Sequence, residues 1–141
     1  MTYKRQRILL KDPELFHKSW RKTIPLAWVI LPNHFHAILE VGECSISEAL
    51  HSFKITYSRR YRNERGPGRV WQNRFWDHVI RNQRDLNRHV DYIHYNPVSH
   101  GIAASPGDYA PSSFSRYVEN GTYDSNWGDK ETPEYTGDYG E

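Results

Sequence analysis

Two histidines one residue apart, His34 and His36, stand in the run Leu31-Pro32-Asn33-His34-Phe35-His36-Ala37-Ile38-Leu39-Glu40-Val41. The run reads as a β-strand, whose side chains alternate between faces. His34, His36, Ile38 and Glu40 then point one way, and Phe35, Ala37, Leu39 and Val41 point the other. The second set is wholly apolar and suits a core. The first carries two imidazoles roughly 7 Å apart at Cα, close enough for both rings to converge on one cation. Such a pair also arises on strand faces through packing alone, so by itself it leaves both readings open.

A second candidate group lies on a helix expected from Arg84 to about Tyr95. Asn96 precedes Pro97 there, and residues before proline avoid the helical region. Leu86, Val90 and Ile93 form its buried stripe, and at 3.6 residues per turn Asp85, His89, Tyr92 and Asn96 share one flank of it. Tyr95 falls on the opposite side, towards solvent. A tyrosine beside an apolar stripe is ordinarily a packing residue. Asn96, however, is the i+4 neighbour of Tyr92, so a cation reaching Asn96 would sit beside the Tyr92 hydroxyl.

Several elements must position these groups. Residues 1–10 mix Lys4, Arg5 and Arg7 with Ile8-Leu9-Leu10 and are expected to be an entry segment, not a full strand. Asp12-Pro13-Glu14 supplies a cap, a first-turn proline and an acid, predicting a helix over 13–22 with Leu15, Phe16 and Trp20 inward. Pro25 and the run Leu26 to Leu31, then Pro32-Asn33, predict a hairpin into the histidine strand. Ser45 or Ser47 starts a second helix with Leu50, Phe53, Tyr57 and Tyr61 at helical spacing, ended by Gly66-Pro67-Gly68. Phe75 to Ile80 reads as a further strand. After Gly101 the chain is rich in turn residues, with anchors at Phe114, Tyr117, Val118, Tyr123 and Trp127. Residues 1–128 are expected to form one domain with this tail draped over it, and the acidic residues 129–141 to be disordered.

Charge and aromatic content narrow the partners. The 141 residues carry a net charge of +2, but residues 1–100 hold 17 Lys and Arg against 9 Asp and Glu, and residues 101–141 hold 2 against 8. A basic body points to a polyanion, most often nucleic acid. The second helix bears Lys54, Arg59, Arg60, Arg62 and Arg65 outside its apolar stripe. Arg69, Trp71, Arg74 and Trp76 then interleave charge with rings, the chemistry of a single-strand platform. A solvated helix face and core tryptophans explain the same residues without DNA. No apolar run is long enough for a membrane span, the one cysteine, Cys44, cannot pair internally, and no leader pattern opens the sequence, so a cytoplasmic protein is expected.

Taken together, Leu31 to His36, Trp71-Gln72-Asn73-Arg74-Phe75-Trp76-Asp77-His78, and His89-Val90-Asp91-Tyr92-Ile93-His94-Tyr95-Asn96-Pro97-Val98-Ser99-His100-Gly101 resemble, in order and spacing, the REP-associated tyrosine transposases of the HUH superfamily. The likeness spans roughly residues 5–128. It implies an α+β, ferredoxin-like antiparallel sheet with helices packed on one face and a first strand missing or shortened. It implies that His34 and His36, with Asn96 as third ligand, hold Mg²⁺ or Mn²⁺, and that Tyr92 is the nucleophile. The implied activity is cleavage and rejoining of single-stranded DNA beside short hairpins through a 5′-phosphotyrosine, by a monomer or homodimer associated with the nucleoid. A catalytically inactive DNA-binding module derived from such an enzyme, or a phosphodiesterase using the same histidines, would share most of these features. A covalent DNA adduct separates the first reading from the others.

Overall fold

The computed structural model describes residues 2–4, 13–68, 70–71 and 76–133. Among the described residues three strands, β1 (Thr2–Lys4), β2 (Pro25–Ile30) and β3 (His34–Leu39), form an antiparallel sheet with β3 in the centre. The expected hairpin is there, and the Leu31 N–H closes it on the His34 carbonyl at 2.8 Å. Residues 2–4, expected as an entry segment and not a full strand, form the shortened first strand that the resemblance implies, with Lys4 opposite His34, Tyr3 opposite Phe35 and Thr2 opposite His36. Backbone pairing with the edge of β3 makes this strand.

Helix α1 (Pro13–Ser19) ends before the expected residue 22, leaving Arg21 and Lys22 exposed. Helix α2 (Ile46–Arg65) begins at Ser45, not Ser47, because Ser45 has Glu48 at the third helical position. The Glu48 N–H donates to Ser45 Oγ at 3.1 Å and the Ser45 N–H donates to the Glu48 carboxylate at 3.0 Å, a reciprocal capping box. Gly66, at φ 90°, ends the helix in a conformation that glycine adopts without strain.

Both faces of the hairpin carry apolar side chains, and both are covered. Trp28, Ile30, Phe35 and Ala37 meet Phe16 and Trp20 of the α1 region and Leu50, Phe53 and Tyr57 of α2 in an aromatic core. Trp20 and Phe53 stack there at 4.1 Å between ring centres. On the other face Ala27, Val29, Leu31 and Ile38 meet Val90, Tyr92 and Ile93 of α3 (Gln83–Ser99) together with Phe114 and Tyr123. The architecture is the expected α+β antiparallel sheet, but its helices divide between two faces. The single-faced arrangement does not hold, because both parities along β2, and Phe35, Ala37 and Ile38 on β3, present apolar side chains that need cover on each face.

Helix α3 also runs past its expected end near Tyr95 and takes in Pro97. An interior proline normally costs about 3 kcal/mol. Here its ring is buried, and the turn beyond it closes as a Schellman motif. The Ile102 N–H donates to the Pro97 carbonyl at 2.8 Å, the Gly101 N–H donates to Val98 at 3.0 Å, and Gly101 sits at φ 70°. The strand expected over Phe75 to Ile80 is another correction. Phe75 lies outside the described residues, and Asp77 to Ile80 form no ladder.

The segment after α3 runs through a 3-10 turn (Pro106–Asp108) to α4 (Phe114–Glu119) and covers the free edge of β2. The Ile30 N–H donates to the Pro111 carbonyl, and the Ser113 N–H donates to the Trp28 carbonyl, each at 2.9 Å. From this seam a buried relay crosses to α3. Ser113 Oγ lies 2.9 Å from the Trp28 N–H and 2.6 Å from His94 Nε2, His94 Nδ1 lies 3.3 Å from the Tyr123 hydroxyl, and that hydroxyl lies 2.7 Å from Asp91. One proton assignment serves every member: Trp28 N–H to Ser113, Ser113 to Nε2, Nδ1–H to Tyr123, and Tyr123 to Asp91. It requires a neutral His94, and burial, aided by Arg116, lowers its pKa to about 3.

An unfolded His94 with the ordinary value of 6.5 binds its proton before the folded one does, so its contribution to stability is lost as pH falls from about 6.5 towards 3. Urea unfolding should therefore show the stability advantage of the wild type over His94→Gln shrinking by about 2 to 3 kcal/mol between pH 7 and pH 4.5. A pH-independent difference would mean that His94 is not held neutral by the fold.

Candidate active site

The alternation of β3 puts His34 and His36 on the α3 side of the sheet, with Ile38, while Phe35 and Ala37 enter the aromatic core. His34 and His36 are 6% and 2% exposed, and their ring centres lie 5.0 Å apart. His34 Nδ1 is 2.6 Å from Asn33 Oδ1. That oxygen only accepts, so the Nδ1–H of His34 donates to it. A hydrogen bond of this kind, on the ring nitrogen away from a metal, orients a ligating imidazole.

Helix α3 brings Tyr92 to the pair, its ring edge-on to His36 with centres 5.2 Å apart. At the other end of the same flank His100 meets His34 at 5.5 Å between ring centres. Asn96 lies one turn from each of these residues, is 0% exposed, and accepts the His100 N–H on its carbonyl at 3.0 Å. The histidine pair of β3 thus faces the flank of α3 that carries Tyr92 and His100, with the buried Asn96 between them in sequence. The sequence reading assigned His100 no role. Its signal is a histidine immediately before the glycine that ends the helix, eight residues after Tyr92 on the same flank.

Tyr95 departs from expectation. It is on the opposite side of α3 from the histidines, but the C-terminal segment covers it, edge-on to Trp127 at 6.4 Å. Trp71 is a firmer correction. It is buried against Phe35, Phe53 and Tyr57, so its ring faces are used in the core and offer no surface for stacking a base. Trp76 is half-buried and stacks on His78, with ring centres 6.0 Å apart. On α2, Arg59 and Arg62 are exposed, Lys54 and Arg60 are half-buried, and the Arg62 guanidinium donates to the Gly68 carbonyl at 3.0 Å. Arg69 and Arg74 lie outside the described residues, as does the side chain of Arg65.

The basic helix and the histidines occupy opposite faces of the sheet. Phe53 packs on Phe35, and Tyr57, a turn later, reaches Trp71.

No family model matches the chain. Over 103 residues it is 40% identical to the REP-associated tyrosine transposase of Escherichia coli strain K12, covering 72% of this chain and 60% of that protein. The chain is homologous to REP-associated tyrosine transposases. A Haemophilus influenzae protein given that name provisionally is 35% identical over 118 residues, 73% of this chain and 65% of its own length. The chain therefore spans less than two thirds of the length of either of these relatives. The transposase fold is shared as well. A solved structure of a REP-associated tyrosine transposase bound to a REP hairpin superposes with a TM-score of 0.80 at 28% identity, over 99% of this chain and 88% of that one.

Asn33→Ala removes the acceptor that orients His34 while leaving both imidazoles in place. Mn²⁺ binding, followed by electron paramagnetic resonance, should weaken by about 10- to 100-fold with the fold unchanged by circular dichroism. Unaltered affinity would dissociate His34 from metal binding.

Proposed function

We propose that this chain cleaves and rejoins single-stranded DNA beside REP-like hairpins through a phosphotyrosine on Tyr92, in the cytoplasm and on the nucleoid. The observation that carries the reading is the edge contact between Tyr92 and His36. It sets the hydroxyl-bearing ring of a helix against the histidine pair of a strand more than fifty residues away in sequence. The homologous transposases and the hairpin held by the structural neighbour support the same substrate class.

In this reading Tyr92 Oη bonds to the scissile phosphorus, the bond from phosphorus to the 3′ oxygen breaks, and the phenolic proton ends on the released 3′-hydroxyl. The 5′-phosphate stays on the protein. Reversal by another 3′-hydroxyl rejoins the strand, with one phosphodiester lost and one formed, so no external energy source is needed. A phenol with a pKa near 10 is a weak nucleophile at neutral pH. His34, His36 and Asn96 would hold Mg²⁺ or Mn²⁺, which draws charge from the phosphate; imidazole favours Mn²⁺ and abundance favours Mg²⁺. Asn33 fixes the His34 tautomer, and α3, locked by the His94 relay, fixes Tyr92.

Lys54, Arg59, Arg60, Arg62 and Arg65 on α2, with Arg69, Arg74 and Trp76, would grip the DNA. With Arg59, Arg60 and Arg62 replaced by alanine, the slope of log affinity against log salt should flatten by about one unit per lost phosphate contact. An unchanged slope would make that face merely solvated.

Hairpin oligonucleotides incubated with Mn²⁺ should give a denaturation-resistant shifted band. Tyr92→Phe should abolish it while sparing DNA binding, Tyr95→Phe should retain it, and His34→Ala or His36→Ala should eliminate it. Persistence of the band in Tyr92→Phe would overturn the assignment. Binding without any adduct in the wild type would favour the inactive DNA-binding module.

A further inference from the structure

A second set of metal-binding side chains sits where the chain enters α3. His78, on the segment before the helix, Asp85, in its first turn, and His89, one turn later, place one ligand atom each within 4.8 Å of one another. His78 Nε2 is 2.8 Å from Asp85 Oδ2, and His89 Nδ1 is 3.2 Å from Asp85 Oδ1. The two imidazoles stack nearly parallel, at 4.6 Å and 13°. The side chains are 32%, 22% and 10% exposed, so the carboxylate is partly withdrawn from water, with the rings about it.

We propose that His78, Asp85 and His89 form a second divalent-metal site, distinct from the His34 and His36 pair, that takes a borderline transition ion of the Zn²⁺ type. The donor set is two imidazoles and one carboxylate, which selects such ions over Mg²⁺. With bonds of about 2.1 Å, neighbouring ligand atoms around one ion lie roughly 3.0 to 3.4 Å apart. Each imidazole already lies 2.8 to 3.2 Å from an Asp85 carboxylate oxygen, and the three groups stay within 4.8 Å, so small side-chain rotations bring them onto one ion. Asp85 Oδ2 also accepts the Arg81 N–H at 3.2 Å, the kind of outer contact that steadies a ligating carboxylate. His89 Nδ1 lies 2.9 Å from the Asp85 carbonyl, and coordination exchanges that contact for the ion. Burial lowers the pKa of His89 and so favours the neutral, ligating imidazole. The ion would tie the segment carrying Trp76 and His78 to α3, one turn ahead of Tyr92.

The test uses Co²⁺ as a visible-absorption probe, with Zn²⁺ as competitor, on the full chain. The His34→Ala/His36→Ala double variant should still take up one equivalent of Co²⁺ with ligand-field absorption, displaced by Zn²⁺. His78→Ala, at an exposed position, should lower that affinity at least about tenfold without altering the circular dichroism. In a protein with His34 and His36 intact, the same substitution should remove one equivalent. No uptake by the folded double variant, or uptake indifferent to His78→Ala, overturns the proposal and leaves only a hydrogen-bonded clamp. The outcome is independent of whether Tyr92 forms an adduct.

Discussion

The alternation of side chains along β3 is the constraint on which the rest depends. Phe35 and Ala37 go to the aromatic core under α1 and α2, while His34, His36 and Ile38 go to the face under α3. A slip of one residue would drive two imidazoles among Phe16, Phe53 and Trp71 and expel Phe35 from them. The strong preference of that core for Phe35 therefore also aims the histidines. Because β3 is central, with β1 and β2 pairing on its two edges, its register is held from both sides.

The tyrosine side of the site depends on α3 staying seated, and the segment that follows the helix secures it. Residues 111–113 hydrogen bond along the free edge of β2, and the relay from Trp28 through Ser113, His94 and Tyr123 to Asp91 ties that edge to the helix. Phe114, Tyr123 and Trp127 then form a stacked layer over α3, with Tyr123 and Trp127 only 4.3 Å apart. Helix, edge strand and tail thus form one packed unit. Burial and the Asp91 carboxylate keep the Tyr123 phenol protonated, well above its ordinary range, so this buried tyrosine serves structure and not attack.

What the sequence revealed follows from the reach of each signal. The histidine strand, the capped start of α2 and the Tyr92 flank of α3 are local, period-driven features, and all three stand. The helix across Pro97 was not legible, because residues after it, Gly101 and Ile102, close the turn. The cover over Tyr95 was missed because it comes from Trp127, more than thirty residues on. Trp71 shows the limit of reading rings interleaved with arginine, since core and surface tryptophans have the same local pattern and only the position of Phe35 and Tyr57 decides. His100 comes near His34 only when strand and helix are assembled.

The central claim, that β3 and α3 converge to make Tyr92 the reacting tyrosine, is tested most directly by locating the DNA on the protein. After reaction with a hairpin oligonucleotide and nuclease trimming, trypsin should release residues 89–116 as one peptide containing Tyr92, Tyr95 and Tyr109. Fragmentation mass spectrometry should find the nucleotide-phosphate mass on Tyr92. Its presence on Tyr95, on Tyr109 or on a different peptide would contradict the account.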